Sequence, residues 1–131
     1  MLTIRTILRK SKVCDGIGAF SLEIVGKGQT IWEYHPFFTR RMPKWEWDAL
    51  DPMIRSRLDE HDCYWHDSLG HIMIPLDNDR FVNHSLNPNM VSVGDDLAVA
   101  ARDIQMGDEL TMDYRTIIPK HRWQPWYYTT A

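Results

Sequence analysis

The chain carries only two cysteines, Cys14 and Cys63, among its 131 residues. That is too few for a disulfide framework and points to a reducing compartment. No apolar run approaches the ~18 residues that a membrane span needs. The opening, Met1-Leu2-Thr3-Ile4-Arg5-Thr6, alternates polar and apolar residues where a signal peptide would be uniformly apolar. A membrane-bound or secreted protein is therefore not expected; a cytoplasmic one is, or a nuclear one in a eukaryote. Positive charge is also scarce: 15 Lys and Arg stand against 18 Asp and Glu, for a formal charge of −3. The electrostatic footprint of a protein that grips phosphate backbones is missing, so no direct nucleic-acid partner is expected. No G-x-G-x-x-G opens a strand-to-helix turn, and the chain is too short for a full doubly wound nucleotide-binding enzyme.

What is present has the balance of one globular domain over residues 1–131, with 44% hydrophobic and 25% charged residues. Such a chain buries roughly two-thirds of its unfolded surface, enough for a core of its own. Charge is unevenly spread. Asp59, Glu60, Asp62, Asp67, Asp77 and Asp79 follow one another with no Lys or Arg between them. The stretch is either a solvated acidic face or a surface that steers a basic protein or peptide.

Periodicity predicts a mainly β chain with one helical insert. Leu2 to Arg9, Ser21 to Val25, Thr30 to Tyr34, His71 to Ile74, Met90 to Val93, Leu97 to Ala101 and Glu109 to Tyr114 read as strands. Residues 14–20 are punctuated by Gly16 and Gly18. The helical insert covers about 43–60; Asp51 followed by Pro52 predicts an N-cap and a first helical residue, with Met53, Ile54 and Leu58 as the apolar face. The tail, 115–131, holds Trp123, Trp126, Tyr127 and Tyr128 and is too aromatic for a disordered terminus. One internal echo is visible: Glu23-Ile24 and Asp103-Ile104 are each followed at the same distance by an acid-Tyr pair, Glu33-Tyr34 and Asp113-Tyr114. It is either a repeat or a coincidence of a β-rich chain.

The densest group of unusual residues is Asp79-Arg80-Phe81-Val82-Asn83-His84-Ser85-Leu86-Asn87-Pro88-Asn89. Its Asn and Ser side chains favour bonds to backbone over regular structure. Ser85 directly after His84, without a surrounding Gly-x-Ser-x-Gly, does not fit a nucleophilic triad. This segment, followed by Gly107-Asp108-Glu109-Leu110-Thr111-x-Asp113-Tyr114, resembles the core of the SET-domain protein lysine methyltransferases. Gly16-Ile17-Gly18-Ala19-Phe20 and Ile31-x-Glu33-Tyr34 match the N-terminal motif of the same family, in the family's order.

The resemblance implies the β-clip fold of SET domains, with a knot-like threading near the C-terminus. It also implies S-adenosylmethionine as cofactor, S-adenosylhomocysteine as product and a lysine-containing, histone-like or ribosomal protein as substrate. Carried over residue by residue, Gly16, Ile17 and Gly18 would let the backbone approach the cofactor. Arg80 and Phe81 would wall its pocket, and Asn83 and His84 would hold its amino group and adenine. Tyr114 resembles the catalytic tyrosine and Tyr34 a second channel tyrosine. Met112 and Ser92 stand at channel positions where relatives often carry aromatics, which implies a roomy channel and more than one methyl added. No cysteine follows Tyr114, so the zinc-binding tail of many relatives is not expected. Cys63, flanked by His61 and His66 with His71 near, has no familiar zinc spacing, and no metal is expected. Trp123 or its aromatic neighbours would then cover the adenine or the channel, or merely pack on the body. The different-class alternative is a non-catalytic module binding a peptide, a partner or the cofactor alone. The sequence leaves open whether the chain forms a homo-oligomer.

Overall fold

The computed structural model describes residues 1–61 and 63–128. Asp62 of the acidic stretch and Thr129, Thr130 and Ala131 of the tail lie outside the described residues. Strand β1 (Thr6–Lys10) pairs antiparallel with β2 (Ile17–Ser21), Leu8 opposite Ala19. The strand expected over Ser21 to Val25 thus lies earlier, and the glycine-punctuated stretch is one arm of a hairpin. It extends because it is held on both sides: Leu110 N–H donates to the Ala19 carbonyl at 2.8 Å, and Phe20 bridges Glu109. β1 keeps Ile7 and Leu8 half-exposed, while β2 is buried from Gly18 onward.

β3 (Thr30–Glu33), β4 (Thr39–Pro43), the helices α1 (Lys44–Ala49) and α2 (Pro52–Glu60), β5 (Tyr64–His66) and β6 (His71–Pro75) follow. After them come β7 (Asn83–His84), β8 (Met90–Val93), β9 (Leu97–Ala100) and β10 (Thr111–Met112). Five strands form one sheet in the order β3-β9-β8-β10-β7, and three form another in the order β4-β6-β5. Among the described residues the parallel pairings are those of β10, which lies between β8 and β7 with Met112 opposite both Met90 and His84. That register carries the Asn83-His84 pair to the start of the Asp113-Tyr114 segment.

The helical region breaks at Leu50-Asp51-Pro52. Pro52 has no N–H to continue the helix and forces Asp51 into extended backbone, while the Asp51 carboxylate caps the new helix by accepting from Met53 N–H at 2.8 Å. The apolar face expected for α2 is only partly buried. Leu58 packs against the smaller core of Met42, Trp47, Ile72 and Ile74, whereas Met53 and Ile54 stay exposed. The helix touches one layer along one edge, so its wider face has nothing to bury against.

The main core is formed by Ala19, Val25, Ile31, Met90, Ala98, Ile104 and Leu110, with Ile117, Ile118 and Tyr127 closing it from the tail. Three 3-10 turns, Tyr114–Thr116, Lys120–Arg122 and Pro125–Tyr128, fold this tail back onto the body. The two echoing units meet at Val25 and Ile104, which exchange backbone bonds of 2.9 and 2.8 Å. The architecture is mainly β, with α-helix confined among the described residues to α1 and α2.

Candidate active site

A cavity of about 490 Å³ opens between the two larger sheets, the Asn78–Phe81 turn and the tail. Gly16, Ile17, Arg80, Phe81 and Asn83 wall one part of it, and Tyr64, Ser92, Met112 and Tyr114 stand among the other lining residues. Trp126 and Tyr127 reach it from the tail.

Asn83 is oriented by what it donates to. Its amide nitrogen bonds the Ile17 carbonyl at 2.9 Å and Glu109 Oε1 at 3.0 Å, which uses both of its N–H groups. The side-chain carbonyl oxygen is left as the acceptor of this cavity-lining residue, suited to a ligand ammonium. Glu109 is the organiser behind it. Buried beneath the hairpin, it also accepts from Ser11 Oγ at 2.7 Å and from Lys12 N–H at 2.6 Å. One carboxylate therefore ties the loop before Gly16 to Asn83.

The two glycines of the hairpin serve different neighbours. A Cβ on Gly18 would stand 2.3 Å from Glu109 Oε1, so Gly18 is small to admit the carboxylate, and it does not line the cavity. A Cβ on Gly16 would meet only Cys14 Sγ at 3.5 Å, an ordinary contact. Gly16 and Ile17 do line the cavity.

His84 is buried, and both ring nitrogens are taken within the protein. Nδ1 accepts from Tyr114 N–H at 3.0 Å, and the remaining nitrogen, Nε2, lies 2.8 Å from the Tyr127 carbonyl, to which it must donate. The 3.8 Å approach of Nδ1 to Asp113 is accordingly no ion pair in this tautomer. The imidazole fastens the tail to the Tyr114 segment, and any contact of His84 with a ligand falls to its backbone. Its ring is flanked by Tyr114, Trp126 and Tyr127 at centroid distances of 5.3, 5.7 and 5.1 Å.

The Tyr114 hydroxyl donates to the Val82 carbonyl at 2.5 Å, immediately before Asn83. Its backbone is set by Asp113, whose carboxylate accepts from Arg115 N–H at 3.0 Å and pairs with the Arg115 guanidinium at 2.6 Å. The Arg115 bonds hold the Asp113 carboxyl below its ordinary pKa. Ser92 Oγ lies 3.9 Å from Met112 Sδ, so neither places an aromatic wall between β8 and β10.

The expected residues are not all together. Tyr34 is outside the cavity, stacked under the Arg41 guanidinium at 3.5 Å, with Arg41 paired to Asp96 at 2.6 Å. Trp123 is also outside; its indole N–H donates to the Ile118 carbonyl at 2.8 Å. Tyr64 stands in the wall instead. Burial first, then the nearby Asp79, push its phenol above the usual value, so it stays neutral. Only its place in an aromatic triplet before a strand marked it in the sequence. Among the described residues no group of three or more His, Cys, Asp or Glu is gathered for a metal. His61 bonds the Pro75 carbonyl and Cys63 approaches Asp59.

The SET domain family model matches residues 16–115. None of the curated proteins matches the chain. Among solved structures, Polycomb Repressive Complex 2 of Chaetomium thermophilum superposes with a TM-score of 0.65 at 20% identity over 89% of this chain. The same complex in an autoinhibited conformation bound to S-adenosylmethionine gives 0.64 at 18% over 89%. In both, this chain spans only 16% of the matched chain's length. A Plasmodium falciparum protein that bears the name of a histone methyltransferase gives 0.54 at 21% identity, covering 84% of this chain and 92% of that one.

Proposed function

The chain belongs to the SET-domain family, and from that premise we propose that it transfers methyl groups from S-adenosylmethionine to the side-chain amine of a lysine in a protein. The observation that carries this reading is one cavity lined both by an oriented Asn83 on β7 and by Tyr114, just after β10, whose hydroxyl is anchored on Val82. When bound, the cofactor would supply an electrophilic methyl on a sulfonium sulfur. Asn83 Oδ1 would accept from its ammonium, Gly16 and Ile17 would present backbone to it, and Arg80 and Phe81 would wall it. Arg80 Nε, buried without a protein partner, offers a donor there. Trp126, which lines the cavity where Trp123 does not, would cover it.

The residues of this chain then work mainly by positioning. The Tyr114 oxygen and the neutral Tyr64 phenol would orient the incoming amine, while Tyr34 braces the sheet edge through Arg41 and Asp96. Met112 and Ser92 leave room beside the amine for methyls already added. Asp59, Asp79 and Asp95 in the cavity wall favour a basic segment around the target lysine. The test is transfer of labelled methyl to core histones and to ribosomal proteins, with Tyr114→Phe alongside. Label that falls at least tenfold in the variant supports the reading, and mass spectrometry of the product counts the methyls. Cofactor binding without transfer would favour a non-catalytic module.

A further inference from the structure

Resting on the methyltransferase reading, we propose that the Asp79 carboxylate takes the proton that a substrate lysine must lose before it can be methylated. A free lysine amine has a pKa near ~10.4 and at neutral pH has no lone pair to offer. Desolvation in the cavity weakens its hold on the proton, but the proton still needs an acceptor.

Asp79 is in the right place for that acceptor. It lines the cavity from the Asn78–Phe81 turn, and its backbone carbonyl accepts from Val82 N–H at 3.0 Å. The same turn therefore positions the carboxyl and the Val82 carbonyl that holds Tyr114. Tyr64, Tyr114 and Trp32, the last opposite Ala98 in the β3–β9 register, line the same cavity as Asp79. Asp77, two residues earlier, does not line the cavity, and its Oδ2 accepts from Leu2 N–H at 2.8 Å. Among the described residues no arginine or lysine pairs with Asp79, and Arg80 stacks instead on Phe81 at 4.7 Å.

The surroundings tune it for the task. Burial, helped by the charge of Asp77, raises the carboxyl from 3.8 to about 7, and the Met1 α-amino group and the Trp32 indole only partly oppose this. The titratable groups facing it are Asp77 on its own turn, Tyr64 from β5 and that α-amino group. β2 brings none, β1 meets the turn through Thr6, bonded to Asn78 at 2.9 Å, and β6 reaches the same cavity through Pro75. A base poised near neutrality is the most effective kind at physiological pH. In the step, one ammonium N–H bond breaks and its electron pair stays on nitrogen, while the proton forms an O–H bond on Asp79. The amine is then a nucleophile, and the carboxylic acid returns its proton to solvent through the open cavity.

The experiment is the pH–rate profile of Asp79→Asn against wild type on core histones at saturating S-adenosylmethionine. At pH 7 the variant is expected to be at least ~100-fold slower. Its rate should climb about tenfold per pH unit and converge on wild type toward the amine's own pKa, while wild type levels off above the carboxyl's. Profiles that run parallel at every pH overturn the proposal. A second reading needs no substrate. A carboxyl raised above its unfolded value binds more protons when folded, so its penalty on stability grows as pH rises from 3.8 through about 7. Asp79→Asn should therefore gain urea midpoint over wild type at pH 8, and the gap should close near pH 4. A gap independent of pH overturns the proposal, and Asp79→Ser takes the variant's place should the amide fail to fold. Wild type that methylates neither core histones nor ribosomal proteins at any pH overturns the methyltransferase reading and this inference with it.

Discussion

Gly18→Ala tests the reading that Glu109, not a ligand, requires a glycine in the hairpin. The new Cβ would begin 2.3 Å from Oε1 and 2.7 Å from Cδ of Glu109, where ordinary contact starts at 3.4 Å. A free carboxylate end would swing aside at little cost. This one is held at Oε1 by Ser11 Oγ and Asn83 Nδ2 and at Oε2 by Lys12 N–H. Moving it by about 1 Å stretches at least the two bonds at Oε1 beyond bonding range, each worth ~1.5–3 kcal/mol when the acceptor is charged. Replacing glycine in extended backbone returns ~0.4–1 kcal/mol by restricting the unfolded chain. The net expectation is a loss of about 2–5 kcal/mol, read in urea as a midpoint lower by roughly 1–2.5 M. Equilibrium unfolding of Gly18→Ala, Glu109→Ala and the double variant closes the cycle. With the carboxylate gone the added methyl should cost little, so the coupling should be most of the single-variant effect. A Gly18→Ala midpoint within about 0.3 M of wild type, or additive single effects, would refute the reasoning.

Gly16→Ala should do the reverse: its Cβ meets nothing closer than 3.5 Å, so the urea midpoint should hold, while calorimetric affinity for S-adenosylmethionine should fall at least tenfold. Trp126→Ala should weaken the same binding, whereas Trp123→Ala, which removes the donor to the Ile118 carbonyl, should lower the melting temperature and leave affinity near wild type. For Asp113, the Arg115 bonds depress the folded pKa below 3.8, so its contribution is present above that pH and lost as pH falls through the folded value. The midpoint gap between wild type and Asp113→Asn should therefore shrink from pH 5 to pH 2.5.

Much of this protein was determined by its sequence alone. The alternating β8 and β9 stretches, the Asp51-Pro52 helix start and the four ordered motifs are local signals, because strand pleat, capping and turn chemistry act within a few residues. Those signals named the family and drew Gly16, Ile17, Arg80, Phe81, Asn83 and Tyr114 toward one site. What the sequence misplaced depends on partners far along the chain. The strand expected over Ser21 to Val25 instead covers Ile17 to Ser21 because Leu110 and Glu109, some 90 residues on, complete its pairing. Tyr34 and Tyr114 end similar units, yet Arg41 draws one under its guanidinium and Val82 anchors the other in the cavity. Tyr64 carries no motif and entered the cavity wall only through packing, while Asp79 and Trp126 stood out in the sequence as members of the acidic stretch and the aromatic tail. His84 spends its ring on Tyr114 and Tyr127, which leaves its backbone for any contact with a ligand. Which side chain faces a ligand, and which faces another side chain, is fixed by contacts between distant segments, and only the tertiary structure decides it.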